Sequence, residues 1–522
     1  MKFYFLHPLT KGTPMTSYKQ LLSRHNFQPV SLTKSAFVAL SGAALFGLTS
    51  CASLSDDKPV SANAVLQRAN ASMGGGALKS ISFSGSGTGA TFGQAFVAGQ
   101  AWPTINYSNF LRVADYDNVT FREDAARSRA EPTGGGAVPL MGTGEQRTSS
   151  FMRGVSAWNM VGPAPVATPV AYDMRVHDLW TTPHGIIKAA LANGATAVMR
   201  AVDGKPVTAV SFSVPGSYRA TAFINADGMV DRIESVQPNP VLGDTASTIV
   251  FSDYKDTGGV KFPMRIRQSM GGFPVLDLAV NDVKPNVAAS IEVPALVTGF
   301  TERAVASQAA EGIWFLAGGS HNSVAIEMKD HIMVVESPLY DGRAAVTLQE
   351  AKKLAGNKPI RFVVNSHHHF DHAGGLRGAV AEGATLVTSE LARPFFEAVM
   401  ATPNSIKPDA MQMSGKKAVV AGVSGKRTFT DGNRVVEVYY IDGSVHAQGF
   451  MMVYLPKEKI LIEADAYTPA APNTPVPAVP NVLHTNLVQN IERLKLDVAQ
   501  ILPLHGRMVP VAELYAAIGK KQ

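Results

Sequence analysis

The chain has 522 residues, 46% of them hydrophobic and 17% charged, with a formal net charge of +6. That length exceeds one ordinary core, so two or three domains are expected, and the apolar content excludes a disordered polymer. The positive balance is not a nucleic-acid footprint: Lys2, Lys11, Lys19, Arg24 and Lys34 lie in the first fifty residues, which hold no acid, and the remainder carries 42 basic against 41 acidic residues.

Residues 1–50 read as a targeting segment. The basic stretch ends at Lys34, and the apolar run "SAFVALSGAALFGL", Ser35 to Leu48, follows it. Fourteen helical residues span roughly 21 Å, short of a bilayer core, which is the pattern of a signal peptide. The run's last residue opens "LTSC", Leu48 to Cys51, which resembles the lipobox of bacterial lipoproteins and ends on the only cysteine in the chain. The resemblance implies cleavage before Cys51 and a lipid on its thiol, which removes a free thiol from an oxidising compartment. Ala52, where an aspartate would act as a retention signal, implies an outer-membrane anchor facing the periplasm. Met1 and Met15 both remain open as starts. Residues 51–60 are expected to be a polar tether.

Residues 61–295 alternate apolar and polar in short runs punctuated by Gly, Asp and Pro, as in "SISFSGSG", "TIVFSDY" and "VKFPMRIRQ". This predicts antiparallel strands with one wet face. "NADGMV" carries an Asp-Gly hairpin signal, and helices are predicted near Ala62–Met73 and Thr182–Ala192. "MGGGA" and "TGGGA" read as loops, since neither opens a helix after a strand as a phosphate cradle must. His177 and His184 stand alone and are expected to be structural. "FSDYKDTGGVKFPMRIRQ", Phe251 to Gln268, is similar to the closing strands of lipoprotein-carrier half-barrels, which implies a curved sheet with an apolar concave face.

Residues 296–311 are expected to be a linker, and residues 312–520 change to strands alternating with helices, an α/β signature. "IWFLAGG", "SVAIEMKD", "HIMVVESP" and "PIRFVVN" read as strands, and "GRAAVTLQEAKKLAG" as an amphipathic helix. The last of these strands runs into "SHHHFDH", four histidines and an aspartate within six residues. In an extended strand end, His367 and His369 point the same way, as two ligands of one ion must, and His368 points away. Asp371 and His372 follow on the turn. Further along, His446, Asp465 and His505 each lie just past the carboxyl end of an apolar run, where α/β sheets gather their sites.

This set resembles the metallo-β-lactamase superfamily over about Gly312 to Lys520. The resemblance implies an α/β fold of αββα type, a sandwich of two mixed sheets with helices outside, behind the β-rich half-barrel-like region. By the same resemblance His367, His369 and His446 would hold one ion, Asp371, His372 and His505 a second, and Asp465 would bridge them. Glu463 is the rival for the bridge. All seven are nitrogen or oxygen donors, which suits two zinc ions and is compatible with iron or manganese. The sequence departs from the family at Ala464, before the bridging aspartate, and at "VVESP", where Glu336 is a candidate to orient a ligand. The implied chemistry is hydrolysis of an ester, lactone, thioester or amide by a hydroxide shared between the ions, with Asp371 assisting proton transfer. His321, Asn322, Tyr467 and His484 are candidates for the substrate rim, Tyr467 and His484 flanking the Pro-rich loop Thr468 to Pro480. The helical stripe Leu487, Ile491 and Leu494 is core. Two other readings stay open: a mononuclear iron dioxygenase of sulfur compounds on the same fold, and an apolar-ligand-binding lipoprotein whose metal domain is inactive.

Overall fold

The computed structural model describes residues 58–131, 144–202, 204–288 and 291–520. The leader, Cys51 and "TGGGA" lie outside them. Among the described residues no helix is long and apolar enough to cross a membrane.

Fourteen strands form one antiparallel sheet between Lys58 and Pro285. Its order is not sequential: Phe273–Pro285 pairs with Ser80–Ala90, and the edge strand Lys58–Val60, inside the stretch expected as tether, pairs with Thr196–Val202. The Asp-Gly signal sits in a hairpin between Tyr218–Ile224 and Val230–Asn239, where Asn225 Oδ1 accepts from the Asp227 and Met229 amides at 3.0 Å. Three helices lie against the sheet. Ala62–Ser72 is capped by Ser61 and Pro183–Ala192 by Thr182, each hydroxyl accepting a backbone N–H. Tyr172–Trp180 lies between them in sequence; it was not predicted, because its buried face carries Arg175 and His177 as well as Val176 and Leu179. Arg175 donates to the Phe151 and Trp158 carbonyls, and His177 Nε2 pairs with Ser235 Oγ at 2.8 Å. His184 Nε2 meets the Met73 carbonyl at 3.1 Å, so both isolated histidines are engaged in the interior. Ile81, Phe83, Phe110, Phe121 and Phe262 pack with Leu66, Leu179 and Ile186 of the helices into one core.

The second region is a sandwich. A seven-stranded mixed sheet runs from Val305–Ala310, an edge strand within the stretch expected as linker, to Val420–Val423. A six-stranded sheet spans Lys426–Thr430 to Val509–Pro510. Val335 and Val364 face the second sheet, packing with Val438, Val453 and Leu502. Their neighbours Val334 and Val363 face the helices Asp341–Leu354 and Leu376–Glu382 through Leu348, Leu376 and Val380. A strand buried on both faces must be apolar at every position, which is why these runs do not alternate. Helix Val482–Leu494 covers the other side with Leu487, Val488 and Ile491.

Ile332–Val335, Ile360–Val364 and Thr385–Ser389 run parallel, as do Ile460–Glu463 and Gln500–Pro503. One long excursion leaves the fourteen-stranded sheet. The loop between Ser80–Ala90 and Thr104–Asp115, closed at its base by Thr91 N–H to the Pro103 carbonyl at 2.8 Å, reaches the carboxyl end of Ile360–Val364.

Candidate metal centre

After Ile360–Val364 the chain bends at Ser366, is extended at His369 (φ −61°, ψ 145°), then makes the single helical turn Phe370–Ala373. Extended backbone puts His367 and His369 on one side, and the turn sends Asp371 and His372 to another. Gly374 ends the turn beneath Leu339, where a Cβ would stand 1.9 Å from the Leu339 carbonyl oxygen, so no larger residue fits.

The donor atoms of His367, His369 and His446 lie within 4.8 Å of one another, and those of His321, Asp371, His372 and His505 form a second such group. Asp465 touches both. Its Oδ2 is 2.8 Å from His372 Nε2, 3.4 Å from His367 Nε2 and 3.6 Å from His446 Nε2, and its Oδ1 is 3.3 Å from His505 Nε2. Glu463 is in neither group; it accepts the Tyr467 N–H at 2.8 Å, and burial pushes its carboxyl well up.

The partners behind the rings set the tautomers. A carbonyl or carboxylate oxygen can only accept, so His372 donates Nδ1–H to Glu336 Oε2 at 2.8 Å and His505 donates Nδ1–H to the Ser320 carbonyl at 2.9 Å. His369 donates Nε2–H to the Ala95 carbonyl at 3.0 Å. In the neutral rings the opposite nitrogens therefore present lone pairs inward. His505 Nε2 and His372 Nε2 stand 3.1 Å apart, His446 Nε2 and His367 Nε2 3.2 Å apart, and His369 Nδ1 is buried with no hydrogen-bond partner. Nitrogens at that distance need a proton or a cation between them, and buried imidazole and carboxylate donors converging within 4.8 Å are a set that fits divalent metal.

Burial and neighbouring rings hold His367 and His369 well below the ordinary histidine range. His372 goes the other way: burial opposes its charge, but Asp465, Asp371 and Glu336 outweigh it and raise it well above. Asp465 similarly stays ionised against burial because of His372 and His446. Glu336 adopts φ +64°, a conformation rare for a residue with a side chain, and is fully buried. Its two oxygens accept from Ser366 N–H at 2.5 Å and from His372, so it fixes the orientation of the His372 ring from the "VVESP" turn.

Residues 316–501 match the sequence model of the family described as the Metallo-beta-lactamase superfamily. The carboxy-terminal region is a metallo-β-lactamase superfamily domain. Solved structures similar to it include a metallo-beta-lactamase from Pontibacter korlensis (17% identity, 42% of this chain and 98% of that one, TM-score 0.32). DIM-1 metallo-beta-lactamase is 16% identical over 42% of this chain and 96% of its own, with a TM-score of 0.33. FIM-1 from Pseudomonas aeruginosa, in its mono-zinc form, is 16% identical over 42% and 94%, with a TM-score of 0.32. No curated protein matches.

Within the metallo-β-lactamase domain the rim candidates divide. His321 Nε2 donates to Asp371 Oδ2 at 3.1 Å and its ring centroid lies 4.3 Å from that of His505, so it belongs to the centre. Asn322 does not line a rim: buried, it donates to the Pro503 and Gly506 carbonyls and pins the turn beside His321 to the loop carrying His505. Tyr467 and His484 pack on each other with centroids 4.9 Å apart, and neither bonds to the donor set among the described residues. His368 points away as expected, donating Nε2–H to the Ala95 carbonyl at 2.7 Å.

Two participants come from outside the domain and were missed. Gln94 Nε2 donates to Asp371 Oδ1 at 2.8 Å, and the Ala95 carbonyl receives both His368 and His369. The only local hint is Gly93, with φ +80° and a Cβ position 2.5 Å from the Phe370 ring.

Proposed function

We propose that the protein is a dinuclear, zinc-dependent hydrolase of an ester, lactone, thioester or amide, anchored by lipid at Cys51 to the bacterial outer membrane and facing the periplasm. The observation that carries the reading is Asp465: one carboxylate within 3.6 Å of ring nitrogens from both histidine sets. His367, His369 and His446 would hold one ion and Asp371, His372 and His505 the other, with Asp465 between them. Bound there, two divalent ions would lower the pKa of a water toward neutrality and polarise a carbonyl.

The protein's own groups do the rest. Gln94 and His321 each donate to one Asp371 oxygen, fixing that carboxylate in place. Burial works against its charge, but His372 and the His321 hydrogen bond keep it ionised, so at neutral pH it can orient a water by accepting that water's hydrogen bond. In the net reaction water adds to the carbonyl carbon and the bond to the leaving oxygen, nitrogen or sulfur breaks. The products are a carboxylate, the leaving group in its neutral or protonated form, and any proton left over.

The test is metal analysis of the purified protein together with an ester, lactone, thioester and β-lactam panel, run on wild type and Asp465→Ala. Two zinc ions per chain and turnover lost in the variant support the reading. One iron with thiol oxygenation, or no metal with retained ligand binding, would replace it by the dioxygenase or the binding protein. Anchoring has its own check: Cys51→Ala should release the protein from the membrane fraction.

A further inference from the structure

Beside Asp371 a cavity of about 210 Å³ opens between the fourteen-stranded sheet region and the metallo-β-lactamase domain. Phe92, Met174, Val241 and Met270 line it from the first, and Leu339 and Phe370 from the second. Phe92 is fixed by ring contacts, its centroid 4.4 Å from Trp102 and 5.3 Å from Phe370. The wall's polar groups are mostly engaged: Asp173 with Lys407 at 2.8 Å, and Asn239 with the Val241 and Leu242 amides at 2.9 Å. Gln237 contributes one buried amide nitrogen that has no hydrogen-bond partner among the described residues. A second cavity, about 170 Å³, shares Phe92, Met174 and Met270 and continues over the sheet, where Phe110, Phe121 and Leu276 alternate with the charged Arg112, Glu123, Arg175 and Asp178.

An apolar space whose polar exit is Asp371 is suited to a substrate with a hydrocarbon arm and a scissile carbonyl at its end. We propose that this cavity receives the extended apolar chain of the substrate, making the protein a hydrolase of long-chain esters or amides, a reading that rests on the hydrolase function above. The sheet region is then half of the substrate site. Burying one methylene group is worth about a fourfold gain in binding or in kcat/KM.

The experiment uses straight-chain p-nitrophenyl esters, acetate through octanoate, with the purified protein. The expected result is a rise in kcat/KM of about fourfold per methylene until the cavity is filled. Met174→Trp, which fills space shared by both cavities, should lower the octanoate-to-acetate ratio by about tenfold or more. Met174→Ala, which serves if the tryptophan variant does not fold, should move the optimum to longer chains. Binding of the uncharged fluorophore N-phenylnaphthylamine, displaced by octanol, gives a readout without catalysis. Esters hydrolysed without regard to chain length, together with no saturable fluorophore binding, overturn the inference and leave the hydrolase reading standing. Fluorophore binding that Met174→Trp abolishes, with no ester or amide turned over, sinks the hydrolase reading and keeps the cavity as an apolar-chain site.

Discussion

Replacing Gln94 by leucine should separate the two proposed metal positions. Gln94 is 7% exposed, and its amide donates to Asp371 Oδ1 at 2.8 Å across 277 positions of sequence. A hydrogen bond to a charged acceptor contributes about 1.5–3 kcal/mol, and removing the donor leaves that oxygen poorly solvated. Partners that orient metal ligands typically set affinity by about 10–100-fold, and 1.5–3 kcal/mol is the same range. Gln94→Leu should therefore weaken binding of the ion proposed at Asp371, His372 and His505 by about 10–100-fold. The ion held by His367, His369 and His446 should be unaffected, since Gln94 touches none of them. Competition with a chromogenic chelator resolves two sequential affinities, and a thermal melt checks that the fold is intact. Two affinities that fall together, or neither falling in a folded variant, would refute the reasoning.

Gly93→Ala places a methyl against the Phe370 ring at a positive φ. It should cost about 1–3 kcal/mol, seen as a lowered melting temperature, and loosen metal at His369 because Ala95 moves with the loop. Glu336→Gln puts an amide where two donors need an acceptor, so His372 loses its fixed tautomer; about 10–100-fold lower metal affinity is expected by chelator competition. Proton release should differ between the sets. His367 and His369, held well below the ordinary range, are already neutral, whereas His372 and His505 are raised above it and must shed protons to bind. Calorimetry in two buffers of different ionisation enthalpy should show more protons leaving as the second set fills than as the first. The affinity of that set should go on climbing with pH beyond about 6.5, where an ordinary histidine would level off, and equal release from both sets would contradict this.

The local chemistry was readable because it is written at short range. An apolar strand, alternation through His367 and His369, and a turn at Asp371 need only backbone periodicity, and His446, Asp465 and His505 stand at strand ends for the same reason. Asn322 misled because a polar residue beside a reactive turn looks like rim until its acceptors, the Pro503 and Gly506 carbonyls, are seen. Helix Tyr172–Trp180 was invisible because its buried arginine and histidine find partners on other strands. Gln94 and Ala95 carry no signal of their own: a glutamine and an alanine in a loop acquire meaning only when two regions of the chain meet.

That meeting has a consequence for how the protein comes to be active. The oxygen of Ala95 holds two adjacent imidazoles, and its position depends on the pairing of Ser80–Ala90 with Thr104–Asp115. Those strands are made hundreds of residues before the histidine turn, so a chain folding from its amino terminus has the clasp ready when the ligands arrive. A separated carboxy-terminal fragment would lack it, so ion capture at the proposed centre would report that both halves have matured together.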